Sequence, residues 1–187
     1  MPPRACVGLA AAALALAAAP AYAAEDMAVQ AERLGDAVEV RAQATIAAPW
    51  PLVWQVLTDY EDMPRFVPGI SRSVVRSRDG NRLVLEHSGE ARFLLFSFPI
   101  QVTLEVVELP MSLVSSRAIG GNVRRMSGRY ELSERGTQGV LLRYVGLIEP
   151  DFDLPPLIGP AALRSSVEEQ FTAMVAEIER RAGSAGR

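Results

Sequence analysis

The chain has no lysine; all 19 of its basic residues are arginine. Schiff-base chemistry, Walker-type phosphate binding and pyridoxal attachment each need a lysine amine and are excluded. The only cysteine, Cys6, falls at the very start. The body of the chain therefore has no thiol nucleophile, thiolate metal site or dithiol redox centre, and no disulfide to support its fold. His87 is the only histidine, so a metal site of the usual kind cannot be assembled. No Gly-x-Ser-x-Gly elbow occurs, and a Ser/His/Asp triad could use only His87. No metal and no cofactor are expected. With a net charge of −3, a general nucleic-acid surface is not expected either.

Nearly half of the residues are hydrophobic, enough for a sizeable core. Arg4 followed by the Ala/Leu stretch Ala5 to Ala19 and by Ala21-Tyr22-Ala23 has the form of a secretory signal peptide over residues 1–23. The apolar run is too short to span a bilayer, which takes about 20 residues. An exported protein, periplasmic or secreted, is expected. Residues 24–36 read as a loose helix or an ordered arm. Residues 37–182 read as one domain, and 183–187 as a disordered tail.

The period-two pattern predicts strands at Ala37–Ile46, Ile70–Arg78, Arg82–Leu95, Phe96–Leu109, Met111–Ile119, Val123–Glu134 and Val140–Glu149. On the first of these Val38, Val40, Ala42, Ala44 and Ile46 share a face. On the third Leu83, Leu85, His87, Gly89, Ala91 and Phe93 do so, opposite Arg82, Glu86, Ser88, Glu90 and Arg92. Asp79-Gly80-Asn81 and Gly120-Gly121-Asn122 are turn signals. Between the first two strands, Pro51 suits a first helical turn, and Val53, Trp54 and Leu57 share a helix face. Pro64 and Pro68 keep the next helix short. Val167, Phe171, Met174, Val175 and Ile178 form the apolar stripe of a long final helix. It begins near Pro160 or at a Ser165/Glu168 capping box and ends at Gly183, with a Glu177–Arg181 pair on its exposed side. The fold class is therefore α+β: a curved antiparallel sheet of about seven strands wrapped around a C-terminal helix, with two short helices after strand one. Sheet and helix enclose a volume.

Thr45-Ile46-x-Ala48-Pro49, Val53-Trp54-x-Val56-Leu57-Thr58-Asp59-Tyr60, Pro64-x-Phe66-Val67-Pro68-Gly69 and the pattern from Pro155 to Arg181 resemble the START-like (SRPBCC) superfamily with its helix-grip fold. The resemblance is to its polyketide cyclase/dehydrase and coenzyme Q-binding branch and runs from about Val38 to Ala182. It implies fold more than function, because the superfamily includes lipid carriers, quinone binders and aromatase/cyclases.

The expected function is binding or transport of a hydrophobic small molecule (lipid, isoprenoid quinone or polycyclic metabolite) between sheet and C-terminal helix, by a monomer. The candidate lining is Trp54, Tyr60, Phe66, Leu85, His87, Phe93, Phe98, Arg117, Met126, Tyr130, Tyr144, Phe171 and Met174. Plain core is the alternative for the apolar members. His87 faces inward, as an acid/base group, a donor to a ligand carbonyl, or a satisfied core histidine. Arg117 has no settled parity. It could share an inward set with Leu113, Ser115 and Ile119, where it would need an acidic partner or a ligand oxygen. Asp59, Glu61 and Asp62, like Asp151 and Asp153, lack calcium-loop spacing and read as turn formers. Arg72, Arg76, Arg78, Arg124, Arg125 and Arg129 read as a solvated sheet face, with transient contact to anionic lipid headgroups as the alternative. One rival function is a cyclase or dehydratase acting on a polyketide-like substrate, with His87 or Tyr130 as its acid. The other is an interaction module docking through Phe152 to Ile158.

Overall fold

The computed structural model describes residues 25–93, 96–136, 139–151 and 159–185. The leader expected over residues 1–23 and the loop from Phe152 to Ile158 lie outside the described residues. The described chain forms one eight-stranded antiparallel sheet and two α-helices. The strands are β1 (Glu25–Leu34), β2 (Ala37–Ile46), β3 (Ile70–Asp79), β4 (Arg82–Phe93), β5 (Phe96–Leu109), β6 (Leu113–Gly121), β7 (Val123–Glu134) and β8 (Val140–Pro150). Their order across the sheet is β1-β2-β8-β7-β6-β5-β4-β3. Helix α1 (Trp50–Leu57) and a 3-10 turn (Tyr60–Arg65) carry the chain from β2 to the far edge of the sheet, and α2 (Gly159–Ala185) closes the fold.

The helix-grip architecture is as expected, with one strand more. The segment 24–36, read as a loose helix or arm, is instead the edge strand β1, paired with β2 through Val29↔Ala42, Ala31↔Val40 and Leu34↔Ala37. Only Val29 and, in part, Ala31 are covered. An edge strand that buries so little carries a weak alternation signal; ladder hydrogen bonds hold it.

Elsewhere the alternation holds. Val38, Val40, Ala42, Ala44 and Ile46 of β2, Leu83 and Leu85 of β4, Val102, Leu104 and Val106 of β5, and Leu142 and Tyr144 of β8 are all buried. The stripe of α2 is buried too: Val167, Phe171, Met174, Val175 and Ile178, extended by Ala182. Each buried Val, Leu, Ile, Phe or Met among them contributes about 1.5–3 kcal/mol by leaving water. Helix α2 starts beside Pro160 and runs through Gly183 to Ala185, beyond its expected end. It lies mainly on β2 and β1, with a lighter contact to β4.

Two polar ties fix the helices. Arg181 bonds Glu177 at 2.6 Å and Asp59 at 2.8 Å, and its guanidinium lies 5.6 Å from the Phe66 ring centre. The Glu177–Arg181 pair is therefore not on an exposed side: only 11% and 19% of the two side chains is accessible. The polar flank of α2 abuts the α1–turn junction, which covers it. The second tie is buried. Tyr60 Oη donates to Glu108 Oε1 at 2.9 Å, and Arg78 grips the same carboxylate with two bonds of 3.0 and 3.3 Å. Glu108 takes the inward position after Val102, Leu104 and Val106, and its charge is met on both oxygens.

Gly69 and Gly89 mark a backbone crossing. Glu90 N–H donates to Gly69 O at 2.9 Å, and a Cβ on Gly89 would lie 1.8 Å from that oxygen. Gly69 itself has φ +81°, a conformation that costs other residues energy. The Gly89→Ala variant is expected to be insoluble or to melt far below the wild type in a thermal scan; an unchanged melting curve contradicts this crossing. Tyr60→Phe removes one donor from a buried carboxylate and is expected to cost about 1–3 kcal/mol in urea unfolding. An unmoved midpoint would show that the Tyr60 tie contributes nothing.

Candidate functional site

The inner face of the sheet is not evenly covered. On β2 and at Leu142, Tyr144 and Gly146 of β8 it is buried. On β6 and β7 the inward Ser116, Ala118, Met126, Gly128 and Tyr130 stay partly accessible. The register explains the difference. One row across the sheet reads Val106, Ser116, Gly128, Gly146, Val40. Three neighbouring positions in that row carry a hydroxymethyl group or no side chain, so a trough runs across the middle of the sheet.

Two tyrosines lie over this trough. A Cβ at Gly146 would come within 2.2 Å of Tyr144 Oη, and one at Gly128 within 3.1 Å of the same ring. The Tyr144 ring therefore lies down on the two glycines instead of standing up from the sheet. Tyr130 stacks on it, with centroids 4.6 Å apart and planes tilted by 37°. Burial pushes the Tyr144 hydroxyl up to about 12. Tyr130 is raised as well, by burial first and then by Tyr144. Both hydroxyls stay protonated and can donate.

His87 is on the inward face of β4, as its parity predicts. Its Nε2 is buried and has no hydrogen-bond partner. Burial pushes the imidazole down to about 4, so it is neutral at neutral pH. Ser73 of β3 stands directly opposite, is 7% exposed, and its Oγ also has no partner.

One row further out, at the Ile70–Gly89–Ile100 row, the surface is indented. A cavity of about 620 Å³ opens there, between Gly69, the Gly89–Ile100 pair, and Ser166, Glu169 and Gln170 of α2.

The expected lining residues divide by position. Met126, Tyr130 and Tyr144 meet at the trough, and Phe98 is half-buried on the inward parity of β5. Leu85, Phe171 and Met174 are buried core; Trp54 packs partly buried against it. Tyr60 serves the Glu108 tie and Phe66 lies under Arg181. The Phe93 side chain lies outside the described residues. Arg117 corrects the inward reading: it is exposed and bonds Glu105 at 2.7 Å. The inward set of β6 is Val114, Ser116 and Ala118, paired with Glu108, Val106 and Leu104. Sequence reasoning missed Ser73. Its strand bulges on either side of it, between Ile70 and Arg72 and between Val75 and Ser77, and a bulge resets the alternation.

Among the described residues no cluster of His, Cys, Asp or Glu is placed to hold a metal, and no helix is long and apolar enough to cross a membrane. The polar groups at the trough are neutral, a lining suited to burying and orienting an apolar guest.

The profile of the polyketide cyclase/dehydrase and lipid transport family matches residues 46–175. The chain belongs to that family. Its structural neighbours belong to the START/SRPBCC superfamily. It is similar to the Zhui aromatase/cyclase from Streptomyces sp. R1128 at 18% identity and TM-score 0.66, covering 81% of this chain and 96% of that one. It is similar to a START superfamily protein from Mycobacterium smegmatis at 15% identity and TM-score 0.64, covering 77% and 97%. It is also similar to a STAR-related lipid transfer protein from Xanthomonas axonopodis at 12% identity and TM-score 0.64, covering 84% and 98%. At such identities the likeness is one of fold. No curated protein matches the sequence. The family holds both cyclases and lipid carriers, so membership alone does not choose between them.

The His87 site has a pH signature. In the unfolded chain a histidine titrates near 6.5, whereas in the fold His87 titrates at about 4. Between those values the unfolded state binds a proton that the native state does not, so stability falls as pH drops through that window. The loss amounts to about 3 kcal/mol across the window. His87→Leu is expected to flatten the fall of urea-unfolding free energy between pH 6.5 and 4. Parallel curves for the two proteins contradict a buried neutral imidazole.

Proposed function

We propose that the protein binds and carries a hydrophobic small molecule, such as a lipid, an isoprenoid quinone or a polycyclic metabolite, in the space between α2 and the inner face of β4–β8, outside the cytoplasm. The observation that carries this reading is the uncovered stretch of inner face. The α2 stripe rests on β1 and β2, while β6 and β7 present Ala118, Met126 and Tyr130 partly accessible above a floor of glycine and serine. An apolar guest placed there completes the core; each methylene taken out of water contributes about 0.8 kcal/mol.

The alternative is a cyclase or dehydratase. Such an enzyme needs a group able to give or take a proton near neutral pH. Tyr60, Tyr130 and Tyr144 are all held protonated by burial, and His87 is held neutral without a carboxylate partner. These groups orient better than they catalyse, which favours carriage.

Native mass spectrometry of the purified protein, paired with Nile red titration, tests the reading. The wild type is expected to carry an extractable apolar molecule or to bind the dye. Ala118→Trp, which fills the trough, is expected to weaken dye binding at least about tenfold, or about 1.4 kcal/mol, with the circular dichroism spectrum unchanged. A wild type that stays empty and leaves the dye dark contradicts the proposal.

A further inference from the structure

We propose that Ser73 and His87 together form a hydrogen-bonding station for the uncharged oxygen, carbonyl or hydroxyl, of the carried molecule. This inference rests on the carrier reading and adds the chemistry of the ligand's polar end.

The register places the two residues directly opposite each other on β3 and β4. Such pairs point to the same face with Cβ atoms about 4.5–5.5 Å apart. Ser73 Oγ and His87 Nε2 are both buried, and neither has a partner. Buried polar atoms in folded proteins nearly always have one; two unpartnered groups side by side on the inner face can both bond a single oxygen of a guest. The next row along the strands is Gly89–Ile100, which lines the open cleft. The pair therefore sits about 7 Å along the strand from the opening.

The chemistry of the two groups defines what they can accept. A serine hydroxyl donates and accepts, and a neutral imidazole donates from one nitrogen and accepts at the other. Together they can bond a ketone, ester, quinone-type carbonyl or alcohol. They supply no positive charge to offset a buried carboxylate or phosphate. The neighbouring cleft agrees: among its described lining residues there is no arginine. Glu169 of α2 stands at this opening, where it disfavours an anionic headgroup.

Displacement of Nile red at pH 7.5 by dodecane, 2-dodecanone and dodecanoate tests this on the full-length protein. In the wild type the ketone is expected to displace the dye about tenfold better than the alkane, with the carboxylate weakest of the three. Ser73→Ala and His87→Leu should each remove most of the ketone's advantage and leave dodecane unchanged, which also shows that the variants are folded. His87→Gln, which keeps an amide donor, should restore part of it. A ketone advantage that survives in both variants overturns the station, as does dodecanoate binding better than the ketone. If Nile red itself does not bind the wild type, the carrier reading fails and the station with it; dye binding with no discrimination among the three leaves the carrier and removes only the station.

Discussion

A single helix with one apolar stripe cannot cover the inner face of an eight-stranded sheet, and most of what is distinctive in this molecule follows from that mismatch. Helix α2 commits Val167, Phe171, Met174, Val175 and Ile178 to the β1–β2 side. The strands farther across the sheet must find other cover or go without. Large inward side chains would have filled the gap, as the paired Leu132 and Leu142 do in their own row. At the centre the sheet carries Ser116, Gly128 and Gly146 instead. Such small residues in the interior cost stability unless something occupies the space; the Tyr144 ring covers the two glycines, while Ser116, Ala118 and Met126 beside it stay partly accessible.

The polar ties make sense in that setting. A helix that rests on one side of a concave sheet needs to be kept from settling into the hollow. Arg181 fastens its C-terminal half to Asp59 at the end of α1, and the Tyr60–Glu108–Arg78 cluster fixes the 3-10 turn to the sheet. Tyr144 lies flat on the two glycines, and Tyr130 stacks on its ring. Shape and charge agree: the groups around the trough are uncharged, while the outer face carries ion pairs such as Arg76–Glu86, Arg117–Glu105 and Arg129–Glu131.

Much of this was legible in the residues. The two periodicities, two for the strands and 3.6 for α2, placed β2 through β8, α1 and α2, because each of these elements buries one face and exposes the other. The edge strand β1 was not legible: it buries little beyond Val29, so its pattern is faint, although Gly35-Asp36 between two extended runs is a two-residue hairpin signal. Inward parity on β4, β7 and β8 identified His87, Met126, Tyr130 and Tyr144. Arg117 resisted because β6 carries apolar residues on both faces, Leu113 and Ile119 on its own and Val114 and Ala118 on the other. Ser73 was hidden by the bulges on either side of it, and its significance lies in what it stands opposite, a relation of register that no local pattern reveals. The glycines told least by themselves; that Gly128 and Gly146 meet across β7 and β8 to make a floor requires the pairing.

The central claim is that the space between α2 and the β4–β8 face is a real compartment for an apolar guest. A crystal structure of the protein soaked with a bromine-tagged long-chain ketone, read by the anomalous signal of bromine, tests this most directly. A bromine peak is expected beside the Tyr144 ring, within contact of Met126 and Tyr130. Bromine found only on the outer surface, with Met126 and Tyr130 packed directly against α2, would contradict it.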